Sequence, residues 1–330
     1  MPAHRWGLGD RPELGAMNLV GGLMRNLDLA DGTALPDFTH ANTLLIGSDY
    51  SGQHSTSDFE ALGFLIADSD RLQHWLAARS ALRARHLPDG RRIAFKNLGD
   101  KKRVAMLPEF IEASEQIHGL LLVVLIDKSI KTFFRQHGNI EPGNVDDNLL
   151  AGWPSKVEER LLRVCHIVAL FIACLSRPGQ NIVWFGDQDE IAANELRLRQ
   201  FTDASGRIMN GYLEHSLGHL RVGTTASDSG SRDVEDFVAI ADLAAGAMCE
   251  VLNAHRRAGV VFPSGIFVPN QQGMASKVDA LSWWLSRKGN PLKKIVLSFE
   301  PSGHPAKMKV RHYDISALWL PDLALDRRSP

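Results

Sequence analysis

Three apolar runs in this sequence end on a carboxylate: Leu44-Leu45-Ile46-Gly47-Ser48-Asp49, Leu120 to Ile126 followed by Asp127, and Asn181 to Gly186 followed by Asp187, with Asp189 and Glu190 just beyond. A single aspartate after a strand more often caps a turn. Three strands that ran parallel and adjacent would instead gather their carboxylates, since neighbouring strands lie about 4.8 Å apart. Gathered, desolvated carboxylates repel, and a divalent cation relieves that repulsion. A fourth acid stands in an apolar helix: Asp242 is the only charged residue in FVAIADLAAGAMC, residues 237–249. Small neighbours at Ala241, Ala244, Ala245 and Gly246 would let that helix lie close to a sheet, where a buried charge needs a partner or a metal.

The elements that must position these acids follow from periodicity. The sequence predicts strands over about 43–50, 58–68, 91–98, 120–128, 181–187 and 219–225. It predicts helices over about 69–86, 101–117 (or from Pro108), 154–176, much of 188–218, 234–256 and 275–287. KKIVLSFE and KMKVRHYD, joined by PSGHPA, read as a C-terminal hairpin. A sheet opened by a hairpin and extended by helix-connected apolar strands calls for an α/β layer architecture with helices on both faces. Ligands of such sheets gather outside the carboxyl ends of the strands, where the aspartates fall.

At this point the chain resembles a ribonuclease-H-like family of unassigned function. The resemblance is carried by DYSG after the first strand, WFGDQDEIAAN after a later one, and AIADLAAGA in the last long helix, over roughly residues 43–256. Members typically show Asp-Glu-Ser-Gly and Gln-x-Ala-Asp-Leu at the first and last of these places. Here Tyr50 stands for the glutamate and Ala239 for the glutamine, so one carboxylate and one amide are missing. The resemblance implies a ribonuclease-H-like mixed sheet flanked by helices, with Asp49, Asp187 and Asp242 as metal ligands and catalytic residues. Asp127, Asp189 and Glu190 are alternates for the second position, because counting strands could put the 120–126 strand beside the first. The implied cofactor is Mg²⁺ or Mn²⁺, since hard cations prefer oxygen ligands, and the implied chemistry is metal-assisted phosphodiester hydrolysis. A nuclease in prokaryotic defence is the expected role. The alternative is a catalytically weak or inactive module of the same fold that binds nucleic acid or a partner protein.

By this reading residues 1–40 form an irregular arm, 41–258 the ribonuclease-H-like domain and 259–330 a C-terminal extension packed on it. Ser51 and the cations Lys307, Lys309 and Arg311, which alternate on one strand face with Tyr313, are expected to meet the substrate. Lysines on an edge strand also guard against aggregation. Lys101-Lys102-Arg103 is a second short basic run.

Composition bounds the rest. Of 330 residues, 44 % are hydrophobic and 23 % charged, ordinary for a globular chain with a sizeable core. Lys plus Arg (37) nearly cancel Asp plus Glu (38), so a polyanionic substrate needs a local basic patch. The three cysteines form no CxxC pair and read as buried thiols. With no signal peptide and no apolar run read as a membrane span, the expected location is the cytoplasm, away from membranes. Trp283-Trp284 reads as an anchor of the C-terminal part to the core or to a partner subunit, which leaves homo-oligomerisation open. His215 and His219 have zinc spacing on one helix face but lack a third ligand. Ser51 and His54 lack a nucleophile elbow, and no P-loop or dinucleotide fingerprint follows a strand.

Overall fold

A computed structural model describes residues 6, 14–134, 149–228, 230–259, 275–302 and 308–315. Seven strands form one mixed sheet: β1 (Thr43–Ser51), β2 (Phe59–Asp68), β3 (Gly119–Asp127), β4 (Asn181–Gly186), β5 (Leu220–Thr224), β6 (Leu292–Pro301) and β7 (Met308–Tyr313). Their order is β5-β4-β1-β2-β3-β6-β7. β1, β2 and β3 form an antiparallel meander, β4 runs parallel to β1, β5 parallel to β4 and β6 parallel to β3, while β7 closes the edge antiparallel.

Strand alternation divides the core in two. Leu44 and Ile46 of β1, Phe64 of β2 and Leu122 of β3 join one cluster with α1 (Ala16–Ala30), α4 (Ser155–Leu175) and α5 (Glu195–Tyr212). Leu65 and Val123 join the opposite cluster with α2 (Gln73–His86), α3 (Lys101–Ser114), α6 (Asp233–Arg257) and α7 (Ser276–Ser286). The fold is therefore α/β with helices on both faces, as the patterning implied.

α6 crosses the β1–β2 pair so closely that two strand positions have almost no room for a side chain. A Cβ on Gly63 would stand 2.4 Å from the Ala241 carbonyl oxygen, and one on Gly47 2.8 Å from the Phe237 ring. The N-terminal end of α6 is fixed by Asp236, which is fully buried and bonded to both Arg79 (2.7 Å) and Arg83 of α2. By length and composition α6 is apolar enough to cross a bilayer, contrary to the reading that no run is, and most of that stretch lies buried here.

Three readings need correction, and the alternative start of α3 at Pro108 falls away. The supposed irregular arm contains α1, which buries Met17, Val20 and Met24 at helical spacing; Gly21-Gly22 in its middle hid the pattern by lowering helix propensity. Residues 91–98 form no strand but an irregular segment ending in a 3₁₀ turn at Phe95–Asn97. α3 starts at Lys101, where Asp100 caps the Lys102 and Arg103 amides, and Pro108 sits inside it. Residues 213–219 leave the helix that ends at Tyr212. The C-terminal hairpin is present, and its strands continue the central sheet through β3 instead of packing outside it. Trp284 is buried in the α6-side core, as an anchor should be, while Trp283 is exposed. The irregular stretch read at 260–274, most of the PSGHPA turn, and Lys307 lie outside the described residues.

Candidate functional site

The parallel register pairs Ser48 of β1 with Gly186 of β4, so Asp49 and Asp187 follow side by side at the carboxyl edge of the sheet. Across the other ladder Asp49 opposes Gly63, the residue on which Ala241 of α6 rests. Asp242 is next along that helix. β1, β4 and α6 thus bring three acids remote in sequence to one place, and the two glycines are why the helix comes near enough.

The electrostatics follow. Burial pushes the Asp49 carboxyl well above the usual carboxylate range, and Asp242 and then Asp187 push it further. Among the described residues its Oδ1 accepts the adjacent Tyr50 amide, at 2.6 Å. Asp242 is pushed up to about 6, again chiefly by burial; the Phe95 amide, donating to its Oδ2 at 2.6 Å, opposes the rise. Neither acid has an ion-pair partner among the described residues.

Asp187 behaves differently. Burial works against its charge, but hydrogen bonds from Arg92 (2.8 Å) and Thr225 (2.7 Å) outweigh burial and hold it below the usual range. Arg92 is also paired with Glu235 at 3.2 Å. Asp189 lies near enough to Asp49 to raise its pKa. Its own pKa is raised by burial; Oδ1 accepts the Ile191 amide at 2.8 Å, while the buried Oδ2 has no hydrogen-bond partner among the described residues. In these positions no three His, Cys, Asp or Glu side chains among the described residues already form a ready-made metal cage. A guanidinium stands on Asp187 instead.

The remaining candidates separate from this centre. β2 lies between β1 and β3, so Asp127 is not beside Asp49; it is paired with Arg256 at 2.7 Å and caps Ser129. Glu190 is exposed and bound to Arg160 at 3.1 Å. Ser51 ends β1 two residues after Asp49, on the same face. Tyr50 faces the other way, its hydroxyl 3.2 Å from Ser48 Oγ, so the residue at the usual glutamate position is turned from Asp49. Lys309 and Arg311 do not form a free basic stripe: both pair with Glu300 of the neighbouring strand, and Tyr313 is buried. β7 is also four strands from β1, about 19 Å at ordinary strand spacing. His215 pairs with Ser176 at 2.9 Å, outside any helix, and His54 with Thr56 at 2.8 Å, which leaves no Ser51–His54 dyad.

Arg92 and Lys96 are the residues that sequence reasoning missed; Lys96 is close enough to Asp242 to lower its pKa. Both lie in the stretch mistaken for a strand. The available signal was three cations, Arg91, Arg92 and Lys96, within six residues, against single acids at Asp89 and Asp100 on either side.

Compared with protein-family models, curated proteins and solved structures, the chain gives no match in any of the three.

Proposed function

We propose that this chain is a Mg²⁺- or Mn²⁺-dependent phosphodiesterase acting on nucleic acid, with Asp49, Asp187 and Asp242 as metal ligands and Asp189 beside them. The single observation that carries the reading is the half-buried pair Asp49 and Asp242, close enough for Asp242 to raise the proton affinity of Asp49, and without an ion-pair partner among the described residues. The donor set fits a hard divalent ion: every donor is a carboxylate oxygen, and the orphaned Asp189 Oδ2 offers a further one. Supporting a ribonuclease-H-like reading of the fold is the placement of β4 beside β1, with the carboxylates from β1, the end of β4 and the last long sheet-packed helix at one edge.

When bound, the ion would neutralise the shared charge, polarise the phosphodiester and lower the pKa of an attacking water. The chain's own groups do the rest. Asp49, on which both Asp242 and Asp187 act, would be the ligand they share. The Phe95 amide orients Asp242, and Thr225 orients Asp187. Arg92, released from Asp187, would present a guanidinium suited to a phosphate.

The test compares Mn²⁺-dependent thermal stability and oligonucleotide cleavage for the wild type and Asp49→Asn. The wild type should gain several degrees with Mn²⁺ and cleave. The variant should lose the shift and fall by more than the ~10–100-fold that removing a mere supporting partner of a ligand costs. Equal cleavage by both proteins would defeat the proposal. Arg92→Met should lower the Mn²⁺ concentration at half-effect, by about tenfold if the ion pair holds back about 1.4 kcal/mol of binding, because a competing cation has gone; an unchanged midpoint in a thermal-shift titration would show that Arg92 does not compete.

One observation favours the second reading, a non-catalytic nucleic-acid-binding module: Asp187 is already neutralised by Arg92. Oligonucleotide binding indifferent to Mn²⁺, with no cleavage, would select it.

A further inference from the structure

On the α4 side of the same sheet edge lies a cavity of about 590 Å³. Its walls come from the turn after β1 (Gln53, Ser55), the stretch after β3 and the first turns of α4. Five basic and two acidic side chains line it, in a protein whose total charge is −1.

The two acids are already matched. Arg160 holds Glu60 at 2.6 Å, and Arg163 holds Glu60 at 3.1 Å and Glu159 at 2.9 Å, which leaves a neutral, hydrogen-bonded floor. The charge left over is that of Lys128, Lys131 and Lys156, none of which has a carboxylate partner among the described residues. Lys128 donates to the His54 carbonyl at 2.7 Å, with two more N–H bonds to give. Its proton affinity is lowered by burial and then by Lys156, with Glu60 and Asp58 opposing more weakly, so two ammonium groups share one space. α4 adds to the field: it is 21 residues long, begins at Ser155, and no side chain caps its first amides.

We propose that this cavity seats the phosphate backbone of a single-stranded nucleic acid and leads it to the carboxylate edge. The size argues for a strand over a lone phosphate, and lysines bind phosphate as point charges without reading sequence. The route to the acids is short. Gln53 follows Asp49 by four residues, and the Arg160 of the floor is bonded at 3.1 Å to Glu190, the neighbour of Asp189. The inference names the substrate-binding surface for the proposed phosphodiesterase and rests on that reading for its purpose, though the cleft can be tested without it.

The experiment is fluorescence anisotropy with labelled single-stranded DNA and RNA 20-mers in EDTA, where no metal-dependent chemistry runs. Lys131→Glu with Lys156→Glu, both exposed positions, should weaken binding at least tenfold. It should also reduce the salt slope by about 1.4, at about 0.7 for each lost phosphate contact on a single strand. Arg25→Glu with Arg199→Glu, the same charge change on α1 and α5, should keep wild-type affinity. Melting temperatures of all proteins establish that they are folded. Equal weakening by both double variants, or none by the first, would overturn the cleft. Tight wild-type binding that depends on Lys131 and Lys156, with no Mn²⁺-dependent cleavage, would sink the phosphodiesterase and leave the cleft standing.

Discussion

Asp242→Asn is expected to make the metal-free protein more stable while removing its response to Mn²⁺. With a pKa of about 6 in place of the ordinary 3.8, ionised Asp242 costs the fold on the order of 1–3 kcal/mol, at about 1.4 kcal/mol per pKa unit. The folded value is raised, so the cost is absent below about pH 4, grows as pH climbs to about 6 and is constant above. Asp49 and Asp187 face this carboxyl with like charge, while Lys96 and Arg92 oppose them from the irregular segment. Asparagine keeps an oxygen for the Phe95 amide and carries no charge to bury. Urea unfolding at pH 8 should therefore show the variant gaining about 1–3 kcal/mol over the wild type. With saturating Mn²⁺ the ranking should reverse. A variant less stable than the wild type at pH 8 without metal would mean that the acids do not repel, and the case for a bound cation would go with them.

Gly63→Ala is expected to cost about 3 kcal/mol, the upper range for overpacking a tight interior. The added Cβ would meet the Ala241 carbonyl oxygen at 2.4 Å, its carbon at 3.0 Å and the Ala245 Cβ at 3.1 Å, and the backbone atoms cannot swing aside. α6 must lift, and Asp242 lifts with it, so the Mn²⁺ response should weaken beyond what the lost stability explains. Gly47→Ala is the useful contrast, because there the obstacle is the Phe237 ring, which can turn. Near-wild-type unfolding of Gly63→Ala would show that α6 does not press on β2 at this position.

These two positions also show how far a sequence can be read. Asp242 was legible because one acid in a thirteen-residue apolar run has no local explanation. Asp49 was legible as the end of a strand too hydrophobic for an edge. Gly63, inside FEALGFLIAD, gave no sign of its role, since what requires it is a helix nearly two hundred residues later. The choice between Asp127 and Asp187 turned on strand order. Apolar runs reveal that strands exist, but pairing is decided by crossovers that periodicity does not encode. Both candidate strands looked central, and only the insertion of β2 beside β1 separates them. Arg92 was hidden for a related reason: its partner Asp187 is 95 positions away, and an irregular segment has no period by which to place a side chain. The cavity lysines were invisible because they come from the stretch after β3 and the start of α4, and meet only in space.

Thr43 lies beside Asn181 and Gly119 beside Leu292, so the centre of the sheet joins stretches made far apart in time. Closing such long loops costs entropy before any contact repays it, and chains of this topology belong among the slow folders. A growing polypeptide that has not yet reached α6 can set Asp187 beside Asp49 but has no Asp242 to complete the group. The acidic centre is consequently a product of completed assembly, and an unfinished molecule emerging from the ribosome carries none of its chemistry.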